Sequence, residues 1–95
     1  MFKKNDKRRL YELMDMFLTS LITPKTFCDD FYYSYDLEID SDTLNESEQQ
    51  AFSDLSRVSS RFSPFKEDHE KYPGAFFTEN ELKQKVIDTK TRLQQ

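Results

Sequence analysis

Leu10, Leu13, Met14, Phe17, Leu18 and Leu21 recur at intervals of three and four residues, with mostly polar side chains between them. That interval places them on one stripe of an α-helix, predicted from Asn5 to Leu21 with Asp6 as its N-cap. "ITPKTF" then ends one helix and starts another. The Thr23 hydroxyl can cap, and Pro24 suits the first helical position because its missing N–H is not needed there. The second helix is predicted over Pro24–Tyr35, with Phe27, Phe31 and Tyr35 turned inward and Cys28 at their flank. So short a connection makes the two helices antiparallel neighbours. Asp36–Leu44 lacks a helical period and reads as a loop, its Leu37, Ile39 and Leu44 tucked onto the rest. Asn45 and Glu48 have the spacing of a capping box and open a third helix, Glu46–Phe62, whose stripe is Phe52, Leu55, Val58, Ser59 and Phe62. Pro64 ends it. Ser63–Phe77 reads as a second long loop and holds the chain's only glycine, Gly74. Thr78, Glu81 and a Phe77–Leu82 staple open the fourth helix, Glu79–Gln94. Its stripe of Leu82, Val86 and Leu93 is thin, so it is expected to cover one side of the core rather than form its centre. Four helices with one apolar stripe each can bury those stripes only against one another. The expected fold is all-α, an antiparallel four-helix bundle in a single domain over residues 1–95.

Composition supports this reading. Hydrophobic residues make up 36% and charged residues 34%, a polar balance, yet nine Phe and five Tyr are too many large apolar groups for a disordered chain. One Gly and three Pro are few chain breakers, which favours helices over sheet. The lone Cys28 allows no internal disulfide and fits a reducing compartment. The basic start "MFKKNDKRRL" is followed by no apolar run of signal-peptide length, and nothing approaches the ~18 apolar residues of a membrane span. The expectation is a cytoplasmic protein. A net charge of −4 does not suit nucleic-acid binding and does suit a basic protein partner.

Constellations that carry chemistry are missing from the sequence. His69 stands alone in a loop and reads as solvated, and one His with one distant Cys is a poor basis for zinc. Cys28 abuts the inward stripe of the second helix and reads as an inert buried thiol. Asp36, Glu38, Asp40 and Asp42 alternate as in a calcium loop, but Ser41 stands where that loop needs Gly and Ser47 where it needs a bidentate Glu. Asp29 and Asp30 point about 100° apart on a helix and converge on nothing. No enzyme activity, metal or cofactor is expected.

Charge is the informative feature. Thr26–Ser56 holds nine Asp and Glu and no Lys or Arg, whereas an ordinary soluble face mixes both signs. With Phe27, Phe31 and Tyr35 inward, Tyr33 falls outward between Asp29 and Asp30, as an aromatic anchor with carboxylates beside it. The bland alternatives are that Tyr33 covers the following loop and that the acids only confer solubility. Glu67, Asp68 and Glu70 add a second acidic cluster, partly offset by Lys66 and Lys71. The basic "KKNDKRR" reads as a solvated N-terminal turn.

The stretches "LYELMDMFLTSLITPKTFCDDF", "LNESEQQAFSDLSRVSSRFSP" and "ENELKQKVIDTKTRL" resemble the colicin D immunity protein family, over about Leu10–Leu93. The likeness lies in "FL…ITP..F", "F..L....RFSP" and "ENEL...V". It implies a small helical bundle that binds the nuclease domain of a cognate toxin, typically a tRNase, and blocks its active site; a monomer in a one-to-one complex with that C-terminal domain is the default expectation. In that family the toxin-facing acids cluster at the end of the third helix and the loop after it. Here that stretch carries Ser60, Ser63 and Phe65 where acids are expected, with Glu67, Asp68 and Glu70 further along. Two faces are therefore expected to bind: Asp29, Asp30, Tyr33, Asp36, Glu38, Asp40, Asp42 and Asp54 on one, and Phe65, Glu67, Asp68 and Glu70 on the other. The rival reading is a helical adaptor or regulatory protein for some other basic partner.

Overall fold

The computed structural model describes residues 1–94. They form an all-α protein of five helices: α1 (Arg8–Leu18), α2 (Pro24–Tyr32), α3 (Glu46–Ser59), α4 (Lys66–Lys71) and α5 (Glu79–Leu93), with no strand among the described residues. Four of them match the expected helices; α5 keeps its expected bounds to within one residue, and the other three depart from theirs for local reasons.

α1 begins later than Asn5. The Asp6 carboxylate accepts the Arg8 N–H at 2.9 Å and so still satisfies a free donor of the first turn. The helix ends at Leu18 because Ser20 turns left-handed, at φ +64°. The Leu21 N–H then reaches back to the Met16 carbonyl at 2.8 Å and the Ser20 N–H to the Phe17 carbonyl at 3.1 Å, a Schellman closure. The reversal corrects the expected stripe: Leu21 leaves the core and is 73% exposed.

α2 is capped as expected, the Thr23 hydroxyl accepting the Thr26 N–H at 3.1 Å and Pro24 leading. Beyond Tyr32 the helix does not stop but widens into a π-helical turn, Tyr33–Glu38, closed by the Ile39 N–H on the Ser34 carbonyl at 2.8 Å. The expected loop thus starts later, and Leu37, expected to tuck in, is exposed on this turn. Ile39 and Leu44 do pack on the core. A single 3₁₀ turn, Ser41–Thr43, joins them, with the Asp40 carboxylate accepting the Asp42 N–H at 3.0 Å.

α3 carries the full capping box of Asn45 and Glu48 and stops at Ser59, short of Phe62. Phe62 has left the helix to make an isolated parallel bridge with Phe77. The Ser63 N–H donates to the Phe77 carbonyl at 3.1 Å, and the Phe77 N–H to the Arg61 carbonyl at 2.7 Å. The second expected loop hangs from this bridge, and α4 forms within it. No apolar stripe announces α4; its anchor is Ser63, whose hydroxyl accepts the Phe65 N–H at 3.1 Å and donates to Asp68 at 2.6 Å. His69 is not solvated as expected: its Nε2 lies 2.9 Å from the Ser63 carbonyl, and its ring meets the Phe76 ring edge-on. Tyr72–Ala75 closes as a turn with Pro73 second and Gly74 third, at φ +79°, which favours glycine.

α1 packs on α2 and α5, and α3 on α5 and α2. Stacked rings form the middle of the core: Phe17 on Phe27, Phe27 on Phe31 and Phe31 on Tyr35, at centroid separations of 5.0, 5.6 and 5.3 Å. Phe52 of α3 closes against Phe31, Tyr35 and Tyr11. α5 is more central than its thin stripe suggests. Leu82 and Val86 are fully buried, and so is Thr89, whose hydroxyl donates to the Lys85 carbonyl at 2.7 Å and so behaves as a small apolar group.

Candidate docking surface

The acidic run sorts into two kinds of carboxylate. The first kind is neutralised by a cation, from the same helix at Asp29 and from distant parts of the chain at the others. Asp29 pairs with Lys25 at 2.8 Å, Asp30 faces Arg9 at 3.8 Å, and Asp54 takes Arg92 of α5 at 2.8 Å. The Arg92 guanidinium holds the Asp54 carboxyl below its usual range. Glu48 is buried. Its Oε1 accepts from Lys7 Nζ at 3.0 Å and the Asn45 N–H at 2.9 Å, and its Oε2 from the Tyr11 hydroxyl at 2.6 Å. The basic N-terminal cluster is therefore only in part the solvated turn expected: Lys3, Lys4, Asn5 and Arg8 are exposed, but Lys7 and Arg9 are not free. Lys7 and Arg9 fold over the acidic run, and Lys4 sits with its ammonium 5.5 Å above the Tyr33 ring.

The second kind has no cation. Asp36, Glu38, Asp40, Asp42 and Glu46 are exposed, and none makes an ion pair among the described residues. The π-helical turn carries Asp36 and Glu38, and the 3₁₀ turn carries Asp42 with Asp40 as its N-cap; Glu46 lies in the first turn of α3, where the helix N-terminus favours a negative charge. In the second cluster Glu67 is exposed and unpaired, Asp68 is held by Ser63, and Glu70 meets Lys66 at 3.6 Å.

Asp29, Tyr33 and Asp36 from one expected face and Phe65 from the other line a single groove of ≈ 500 Å³ between α2 and the chain that follows α3. Its walls are aromatic, and Tyr32, Tyr33 and Phe65 are 48%, 45% and 65% exposed. Its floor is Cys28, Phe31, Phe62 and the serines Ser56, Ser59 and Ser60. Burial pushes the Cys28 thiol up to about 12, which leaves it protonated and unreactive. Glu38, Asp40, Asp42, Asp54, Glu67, Asp68 and Glu70 lie outside the groove. Sequence reasoning missed Tyr32 and the serine floor. The usable signal was "SSRFSP", where small side chains at the end of α3 leave room beside large ones.

Among the described residues no group of three or more His, Cys, Asp or Glu is arranged to hold a metal ion, and no helix is long and apolar enough to cross a membrane. Comparison of the chain with family models, curated proteins and solved structures returns no match.

Proposed function

We propose that this chain is an immunity-type protein: it binds the nuclease domain of a cognate toxin, most simply a tRNase, and occludes the domain's basic substrate cleft. The observation that carries this reading is the set of exposed carboxylates from Asp36 to Glu46 that no cation of the described chain neutralises, beginning at the rim of an aromatic groove. Unpaired like charges repel one another, so their concentration on one surface is accounted for by something positive that docks there. A nuclease cleft lined with Lys and Arg for phosphates is such a partner, and carboxylates compete for the same cations. The resemblance to the colicin D immunity family supports the toxin as the source of that cleft. On this reading α1, α2, α3 and α5 are the four members of an antiparallel bundle. The protein acts as a cytoplasmic monomer in a one-to-one complex, through an interface of roughly 1,200–2,000 Å².

Co-expression with the C-terminal domain encoded by the neighbouring gene, scored by survival and intact tRNA, tests the proposal. The wild-type chain protects. The folded variant with Asp36, Glu38, Asp40 and Asp42 all changed to Lys does not. Protection by that variant would remove the acidic surface from the mechanism. Binding to a basic partner with no nuclease activity would instead identify an adaptor.

A further inference from the structure

We propose that the groove between α2 and the Ser60–Phe65 segment is an anchor site for one apolar side chain of the partner, presented on a segment with arginine beside it. The proposal takes from the inhibitor reading only the partner's identity.

At ≈ 500 Å³ the groove is concave enough to enclose a side chain and falls within the roughly 300–1,000 Å³ of ligand clefts. Its aromatic rim leaves Tyr32 and Tyr33 almost half exposed and Phe65 more than half exposed in the isolated chain, the kind of side chains that carry binding energy once a partner covers them. The floor stays open because α3 ends in small residues there.

Charge and hydrogen bonding define the rest of the occupant. Lys25 lines the groove, but Asp29 neutralises it at 2.8 Å, which leaves Asp36 as the uncompensated charge of the lining. Arg57 and Arg61 are close in sequence yet outside the lining. The Ser59 and Ser60 hydroxyls already donate to the carbonyls of Ser56 and Arg57, at 3.2 Å each, so what they offer an occupant is acceptor oxygen. Acceptors from Asp36 and the serines, with the ring face of Tyr32 beside a Tyr33 ring that already carries the Lys4 ammonium, match a group that only donates and that stacks. A guanidinium is that group. A carboxylate or phosphate would meet Asp36 and no free cation of the lining.

Titration of the ¹⁵N-labelled full chain with three peptides tests the site: acetyl-Arg-Phe-Arg-amide, acetyl-Arg-Ser-Arg-amide and acetyl-Glu-Phe-Glu-amide. The first is expected to shift Cys28, Tyr32 and Phe65 and to bind at least about tenfold more tightly than either control. Ser60→Trp, which fills the groove, abolishes those shifts. Phe65→Ala, at an exposed position, weakens them without touching the core. Equal binding of all three peptides, shifts confined to Glu38–Glu46, or occupation of the groove by a second copy of the chain would each overturn the proposal. With the toxin domain as probe, the same two variants are expected to speed dissociation about tenfold while the salt dependence of association stays unchanged. Unaltered dissociation in a neutralising complex removes the anchor and leaves the inhibitor. Peptide binding without neutralisation does the reverse.

Discussion

Ser20 adopts φ +64° so that α1 can close on itself, a conformation that costs a residue with a Cβ roughly 1–2 kcal/mol. Glycine removes that cost but gains freedom in the unfolded chain worth roughly 0.5–1 kcal/mol. The expected balance for Ser20→Gly is a stabilisation of roughly 0.5–1 kcal/mol, read as a rise of about 2–8 °C in Tm for a domain of this size. A fall in Tm would mean that the serine side chain holds the turn. The same residue explains why the end of α1 was hard to read. Leu21 continues the three-four spacing, and spacing alone cannot register that the backbone has already reversed one residue earlier. His69 was misread for the opposite reason: its partner, the Ser63 carbonyl, becomes available only because Phe62 has left α3.

Helix starts were legible because their chemistry is local. Thr23, Asn45 and Thr78 each cap the helix expected of them, the last two with complete capping boxes. α4 was not legible, since its six residues are all polar or charged and its anchor is a hydroxyl outside it. Nor could the sequence show that Glu48 does two jobs. It closes the α3 capping box and receives Lys7 and Tyr11 of the α1 region, so one carboxylate ties the two helices together. Burial pushes its carboxyl up, but the bonds from Tyr11, Asn45 and Lys7 outweigh burial and hold it below the usual 4.5. The folded state therefore binds this proton less readily than the unfolded chain. The resulting stability is fully present above about 4.5 and is lost as pH falls through the folded value. Glu48→Gln should cost roughly 2–4 kcal/mol at pH 7, with the gap to wild type narrowing at pH 3 in denaturant titrations. A gap that stays constant with pH would assign the loss to packing.

Taken as one body, the chain divides its charge by position. Cations from the N-terminal segment and α5 cover Asp30, Glu48 and Asp54, while Asp36–Glu46 is left bare. The acidic character of the site could be read from the sequence; which acids remain unpaired could not, because Arg9 and Arg92 arrive from distant positions. On the proposed function, association with the toxin domain is expected to approach ~10⁸ M⁻¹s⁻¹ at low salt and to slow steeply as salt is added. A rate indifferent to salt would exclude steering by the bare run. The groove wall at Phe65 follows directly from the Phe62–Phe77 bridge, a clasp of two hydrogen bonds that pinches off Ser63 to Phe76 from the helices that carry the core. A cassette hung from one clasp can be exchanged for another of different length without redesigning what lies beneath. The wall of the groove can therefore vary while the helices that carry the core stay as they are.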